Sequence, residues 1–167
     1  MCVLYTDLVQ ADWPDSLDSQ TGLFTYFGDN RHPGHGLHDK TGNRLLRNTF
    51  GALHSSNYSQ IAPFFIFTKA RPGPGRHVVF RGLAAPGGTG VSGVEDLVAV
   101  WKSKEGSRFQ NYRAIFTILD VPSVSREWID DLSAGHALSG NCPGPWRRFA
   151  EGGTYDALRA ERSLQHR

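Results

Sequence analysis

The sequence predicts an α+β fold: a curved, largely antiparallel central sheet flanked by helices, in a single domain over residues 1–167. Three observations lead there. Runs rich in aromatic and β-branched residues dominate the middle of the chain, as in "PFFIFTKA", "HVVFRGLAA" and "SRFQNYRAIFTILDV". Compact turn signals, "RPGPGR" and "KEGS", join neighbouring runs and favour antiparallel pairing, because parallel strands need long crossovers. Helical periodicity is confined to an early segment and to the C-terminal part from about residue 124.

Taken in order, "GLFTYFGD" (22–29) reads as a strand ending at Gly28. "TGNRLLRNTFGALHSS" spaces Leu45, Leu46, Phe50 and Leu53 as a helix does, from about Asn43. "PFFIFTKA" and "HVVFRGLAA" flank a turn of two prolines and two glycines and form a hairpin. "APGGTGVSG" (85–93) is a glycine-rich loop before "EDLVAVWKSK", which the turn "KEGS" joins to "SRFQNYRAIFTILDV". "SVSREWIDDLSAGHA" opens with a serine cap and starts an amphipathic helix. "WRRFAEGG" and "TYDALRAERSLQ" read as two helical pieces broken at Gly152–Gly153.

A chain of 167 residues holds one domain with a real core. Apolar residues make up 39% and charged residues 20%, and no run reaches the length of a membrane helix. The opening "MCVLYTDLVQADW" lacks the basic flank and apolar stretch of a secretory signal, so a cytoplasmic location is expected. Two distant cysteines, Cys2 and Cys142, give neither a CxxC pair nor a disulfide framework and are expected as buried thiols. The net charge is only +2, but its distribution is uneven. Acidic residues gather in "DWPDSLDS" and "WIDDL"; basic residues gather at 31–47, 69–81, 102–113 and 147–148. Such segregation makes one positive face on a nearly neutral protein.

Catalysis finds little support. His32, His35 and His38 lie close in sequence, with His54 downstream, but Pro33, Gly34 and Gly36 between them make a loop and not a preset ligand face. Glu95, Asp96 and Lys102–Lys104 match nuclease spacing weakly and read better as solvated strand residues. No GxSxG, Walker loop or dinucleotide fingerprint is present. No catalytic residue, metal or cofactor is therefore expected. Repeated basic residues with glycine-rich loops fit a phosphodiester backbone better. Trp101 and Tyr112, interleaved with Arg108 and Arg113, are read as base-bracing aromatics or as core.

In order along the chain, "TGLFTYFGDNRHPGHGLHDKTGNRLL", "FRGLAAPGGTG", "EDLVAVWKSKEGSRFQNYRAIFTILD" and "CPGPWRRFAEGGTYDAL" resemble a sulfur-binding domain. Such domains belong to McrA-type, modification-dependent type IV restriction enzymes, and the segments are similar to AspBHI-like N-terminal domains. The resemblance implies double-stranded DNA carrying a phosphorothioate as partner, with the nuclease on a longer parent chain or on a second subunit. It implies a shallow sulfur pocket at Pro86, Gly87, Gly88, Thr89 and Ser92, beside Arg113. Gly88 and Thr89 stand where the family places an aromatic–proline pair. Arg31, His32, His35, Lys40, Arg71, Arg76, His77, Arg108, Tyr112, Arg113 and Arg147 are the DNA-binding candidates. The alternatives are a methylcytosine reader of a modification-dependent endonuclease and a small metal-dependent nuclease centred on the histidine loop.

Overall fold

The computed structural model describes residues 1–70, 74–75 and 77–159. Its spine is β7 (Ser107–Ile118), whose twelve residues alternate toward the two faces of an open mixed sheet. On one edge β7 pairs with β3 (Leu23–Phe27), which pairs in turn with the two-residue β2 (Ser16–Leu17). On its other edge two strands share β7. The end of β5 (Val78–Pro86) lies opposite Phe116–Ile118, and β6 (Leu97–Lys104) lies opposite Ser107–Ala114. Beyond β5 come β4 (Phe64–Lys69) and β1 (Cys2–Thr6). Every pairing is antiparallel except β1–β4, so the α+β class and the largely antiparallel sheet hold.

Alternation along the strands sends apolar side chains both ways, and helices close both sides. On one side Phe24, Phe64, Ile66 and Phe116 pack with Leu46 and Phe50 of α1 (Thr41–His54). On the other, Phe65, Leu83 and Ala85 pack with Trp128 of α2 (Arg126–Ser133) and with Trp146 and Phe149 of α3 (Gly144–Gly152). Ser125 caps α2, its hydroxyl accepting the Trp128 N–H at 3.2 Å. Among the described residues no helix is long and apolar enough to cross a membrane.

Three expectations are corrected. The opening residues form β1, an edge strand that the sequence reading had not assigned. "TYDALRAERSLQ" is not a helix in its described part. Gly153 adopts a left-handed φ of +67° and stops α3. Ala157 then bridges Leu119, and the Leu158 N–H donates to Ile118 O at 2.8 Å, so the tail completes the end of β7. The rest of that segment, 160–167, lies outside the described residues. The thiols of Cys2 and Cys142 are free and half-buried, and burial raises the pKa of both.

One buried polar cluster decides where the chain goes after β3. Asn111 of β7 donates to Gly28 O at 3.0 Å, and its Oδ1 accepts from Asn43 Nδ2 at 3.0 Å and from the Asn30 N–H at 3.3 Å. Asn43 Nδ2 also donates to Leu37 O, and Asn30 Nδ2 to Gln110 O. A Cβ on Gly28 would sit 1.8 Å from Asn43 Oδ1, so only glycine allows this approach. Asp29 completes the corner by accepting the N–H groups of Gly42 and Asn43 at the start of α1, where a carboxylate suits the helix dipole.

Asn111→Leu strands several of these groups without partners, each worth 1–3 kcal/mol. It should lower stability by about 3 kcal/mol, a Tm drop of roughly 6–12 °C for a domain of this size. Calorimetry of parent and variant checks this; an unchanged Tm would show that the corner does not depend on the cluster.

Candidate nucleic-acid interface

Past Arg113, β7 loses its partner β3, whose last pair is Phe27–Arg113. From Tyr112 to Ser107 its only strand partner is β6; the loop after β3 bonds to Tyr112 O and Gln110 O, and the two strands stand clear as a ribbon only toward the turn. The ribbon turns at Glu105–Gly106, with φ of +53° and +78°, as the twist of a two-residue hairpin requires.

One face of this ribbon borders an open cleft of about 300 Å³ lined by Asp12, Trp13, Arg31, Lys102, Ser103, Lys104 and Phe109. Trp13 is its aromatic wall, packed on Phe27 and edge-on to Phe109 with ring centroids 5.9 Å apart. Lys102 Nζ lies 4.4 Å above the Trp13 ring and donates to Asp12 O. Lys104 Nζ lies 3.4 Å from His32 Nδ1. Behind this wall Asp15 is buried and accepts the Phe27 N–H at 2.8 Å, with Arg31 4.0 Å away. Burial holds the Asp15 carboxyl above the usual carboxylate range, against the pull of that hydrogen bond and of Arg31.

Alternation puts Trp101, Arg108 and Tyr112 on the opposite face. The Arg108 guanidinium sits 4.5 Å over the Trp101 ring. His38 Nε2 is 2.6 Å from the Tyr112 hydroxyl, whose pKa burial raises.

The predicted site residues separate into distinct groups. Arg31, His32, Arg108 and Tyr112 gather around the ribbon and the adjoining loop. His35 is exposed on that loop, its carbonyl accepting from Asn30, and Lys40 immediately precedes α1. Arg113 lies on the cleft side of β7, four residues from Phe109. His77 lies at the opposite end of the sheet, where β4 and β5 meet. Arg71 and Arg76 lie outside the described residues. Arg147 is engaged with Leu138 O, Ser139 O and Glu151, so it pins the connection between α2 and α3.

The loop expected to hold sulfur has a filled root. Pro86 and Gly87 are buried. Pro86 O accepts the Tyr155 hydroxyl at 2.5 Å, and Gly87 O accepts the Thr117 hydroxyl at 2.8 Å. A Cβ on Gly87 would meet Tyr155 and Leu53 within 2.8 Å. Burial pushes the Tyr155 hydroxyl pKa strongly upward. Gly88 is half-buried, and Thr89 and Ser92 are exposed toward the tip. Pro86 pairs with Phe116, three residues from Arg113, so Pro86 and Arg113 point to opposite faces of the sheet. An open dimple shared by Pro86 and Arg113 is not what these residues form.

The histidines do not converge either. His38 meets Tyr112, His32 meets Lys104, and His54 binds the buried Asp96 carboxylate at 2.9 and 3.0 Å. Among the described residues no group of three His, Cys, Asp or Glu is placed to hold a metal ion.

Asp12, Trp13 and Asp15 were missed as site residues because "DWPDSLDS" reads as an acidic surface run. Its one sequence signal was a tryptophan between carboxylates. Lys102 and Lys104 were read as solvated strand residues, and only the pairing with Phe109 and Ser107 turns them toward Trp13.

Residues 1–161 match a family model described as restriction endonuclease AspBHI N-terminal. Three solved structures are similar. The DNA modification-dependent restriction endonuclease AspBHI is 44% identical with a TM-score of 0.89, over 95% of this chain and 73% of that one. The DNA recognition domain of the cytosine modification-dependent restriction endonuclease LpnPI is 44% identical with a TM-score of 0.86, over 95% and 71%. The MspJI restriction endonuclease in complex with a 27-mer oligonucleotide is 25% identical with a TM-score of 0.70, over 94% and 39%. No curated protein is significantly similar to the chain.

Arg31 and Lys104 should behave differently on DNA. Arg31 donates to Phe27 O, Gly28 O and Gln10, so Arg31→Ala should cost about 2 kcal/mol of stability and leave the salt slope of binding unchanged. Lys104 is exposed, and Lys104→Ala should reduce the slope of log K against log salt by about 0.9. Salt titrations of both variants, with their melting curves, check this; the reverse pattern would make Arg31 the phosphate contact.

Proposed function

The chain belongs to the restriction endonuclease AspBHI N-terminal family, a non-catalytic DNA-recognition module whose nuclease lies on another domain, and we propose that the mark it reads is a modified cytosine. The observation that carries this reading is the cleft beside the ribbon. It combines an aromatic wall, flexible cations and the Asp12 carboxylate, with Asp15 buried behind the wall, at a volume near the lower end of small-ligand pockets.

A base examined in this way must leave the duplex stack. Trp13 offers it a stacking face once Lys102, a long and flexible side chain, swings aside. A carboxylate accepts from the N4 amino group of cytosine and repels the O4 acceptor of thymine. Asp12 on the cleft wall and Asp15 behind Arg31 are the two candidates. Lys102 and Lys104 then hold the flanking phosphates. Arg31 keeps the wall in place through its bonds to Phe27 and Gly28.

Phosphorothioate recognition draws no comparable support. The root of the Pro86–Ser92 loop is filled by Tyr155 and Leu53, and the similar LpnPI domain is the recognition domain of a cytosine modification-dependent enzyme.

The test is fluorescence anisotropy at fixed near-physiological salt with duplexes identical except for the mark. The arms are 5-methylcytosine, unmodified cytosine and one stereodefined phosphorothioate. The expected result is a preference of tenfold or more for methylcytosine, about 1.4 kcal/mol. A preference for the sulfur duplex would restore the sulfur reading, and equal binding to all three would overturn both. Separately, Asp12→Asn or Asp15→Asn should narrow the gap between methylcytosine and a thymine at the same position, because an amide can donate to O4. If neither narrows it, the cytosine edge is not read in this cleft.

A further inference from the structure

The β6–β7 ribbon has a feature near its tip that base capture in the cleft does not use. On the side away from Trp13, Trp101 is 57% exposed, a costly placement for the largest side chain in the protein. Its cover is Arg108, whose guanidinium lies 4.5 Å from the ring. Among the described residues the Arg108 guanidinium makes no hydrogen bond or ion pair, in contrast to those of Arg31, Arg44, Arg81, Arg147 and Arg148. Its donors are free while the group is held on an aromatic plane, so little rotamer freedom is left to lose on binding.

The setting of this pair matters as much. Six cross-strand pairs, from Ala99–Tyr112 to Lys104–Ser107, lie beyond the last strand partner of β7; Phe109, Asn111 and Tyr112 are buried against Trp13 and the loop after β3, and the exposed part runs from Trp101 round the turn to Arg108. At about 3.4 Å per residue the exposed part, from Trp101 to Lys104, is roughly 10 Å long. It is two strands wide, ends in a tight turn, and exposes Lys104, Ser107 and Arg108 near its tip. The major groove of DNA admits a two-stranded ribbon of this kind.

We propose that the β6–β7 ribbon enters the DNA groove beside the examined base and that Arg108, braced on Trp101, reads a flanking guanine. The inference rests on the modified-cytosine reading and adds to it the element that sets sequence context. Lys104, on the other side of the ribbon, meets a phosphate of the groove wall. Arg108 donates two parallel hydrogen bonds to O6 and N7 of the guanine, a contact that its planar fork, stacked on Trp101, presents in one fixed geometry and that a flexible, unstacked lysine holds less selectively. Trp101 keeps the fork edge-on to the base pairs.

The experiment is competitive binding to a pool of duplexes with one central methylcytosine and randomised flanks, alongside the same pool with cytosine. The parent, Arg108→Lys, Arg108→Ala and Trp101→Ala are compared, with melting curves to confirm folding. The expected result is a parent preference of tenfold or more for guanine at one flanking position. Both Arg108 variants should reduce it to below threefold, and Trp101→Ala should weaken it, while the methylcytosine-to-cytosine ratio stays within twofold of the parent's. A parent without flanking preference, or an Arg108→Lys variant that keeps it, overturns the ribbon proposal and leaves cytosine reading intact. Loss of the methylcytosine ratio in the parent sinks the cytosine reading. In that case the ribbon stands or falls on whether Arg108→Lys flattens the flanking preference in the unmodified pool.

Discussion

The corner held by Asn111 is the constraint on which the rest of the site depends. Where β3 stops pairing, its backbone still needs partners, since a buried unpaired carbonyl or N–H costs as much as a lost hydrogen bond. Asn111 supplies them from within β7, by donating to Gly28 O and accepting from Asn30 and Asn43. One side chain thereby fixes the end of β3, the start of the loop at 28–40 and the seat of α1. Arg31 gains its anchors at Phe27 O and Gly28 O from the same corner, and Arg31 in turn lines the cleft. The wall of the cleft is held by a buried corner that is hydrogen-bonded and not merely packed.

A second consequence is the division of labour among the arginines. A guanidinium already bonded to main-chain carbonyls is part of the frame, and moving it to a phosphate would strand those carbonyls. Arg31 and Arg147 are of this kind. Arg108 rests on an aromatic ring with its guanidinium donors unspent, so engaging an outside acceptor would break no internal hydrogen bond. Basic composition alone does not make this distinction. It follows from what each side chain already holds.

The loop at 87–96 shows how the sheet makes room for the ribbon. The chain leaves the edge of β7 after Gly87, whose N–H donates to Ile115 O, and returns at Asp96, whose carbonyl accepts from the Ile115 N–H. Both backbone groups of Ile115 are satisfied, so β5 and β6 use one edge of β7 in succession without breaking its hydrogen bonding. Asp96 is then tied to His54 of α1, and Pro86 to Tyr155 of the C-terminal segment. A glycine-rich stretch that reads as a ligand loop is, at its root, a junction between two strands.

By itself the sequence determined the α+β class, five of the strands (β3 to β7) and all three helices. Alternating aromatic runs, the tight "KEGS" turn, the Ser125 cap and the glycines after α3 each act locally, over distances that periodicity and turn chemistry govern. The edge strand β1 was not legible, because "CVLYT" is half-exposed and lacks flanking turn signals, and its pairing with β4 spans some sixty residues. The last helix was misread because apolar spacing in "TYDAL" cannot report that Leu119 and Ile118 await a partner. Positive clusters indicated a polyanion, but only the tertiary structure decided which members share a surface. The pairing of β6 with β7 brings Lys102 over Trp13, from a segment ninety residues earlier, and sets Arg108 on Trp101. Sequence fixes which faces of an element are apolar or charged; long-range register decides what each face meets.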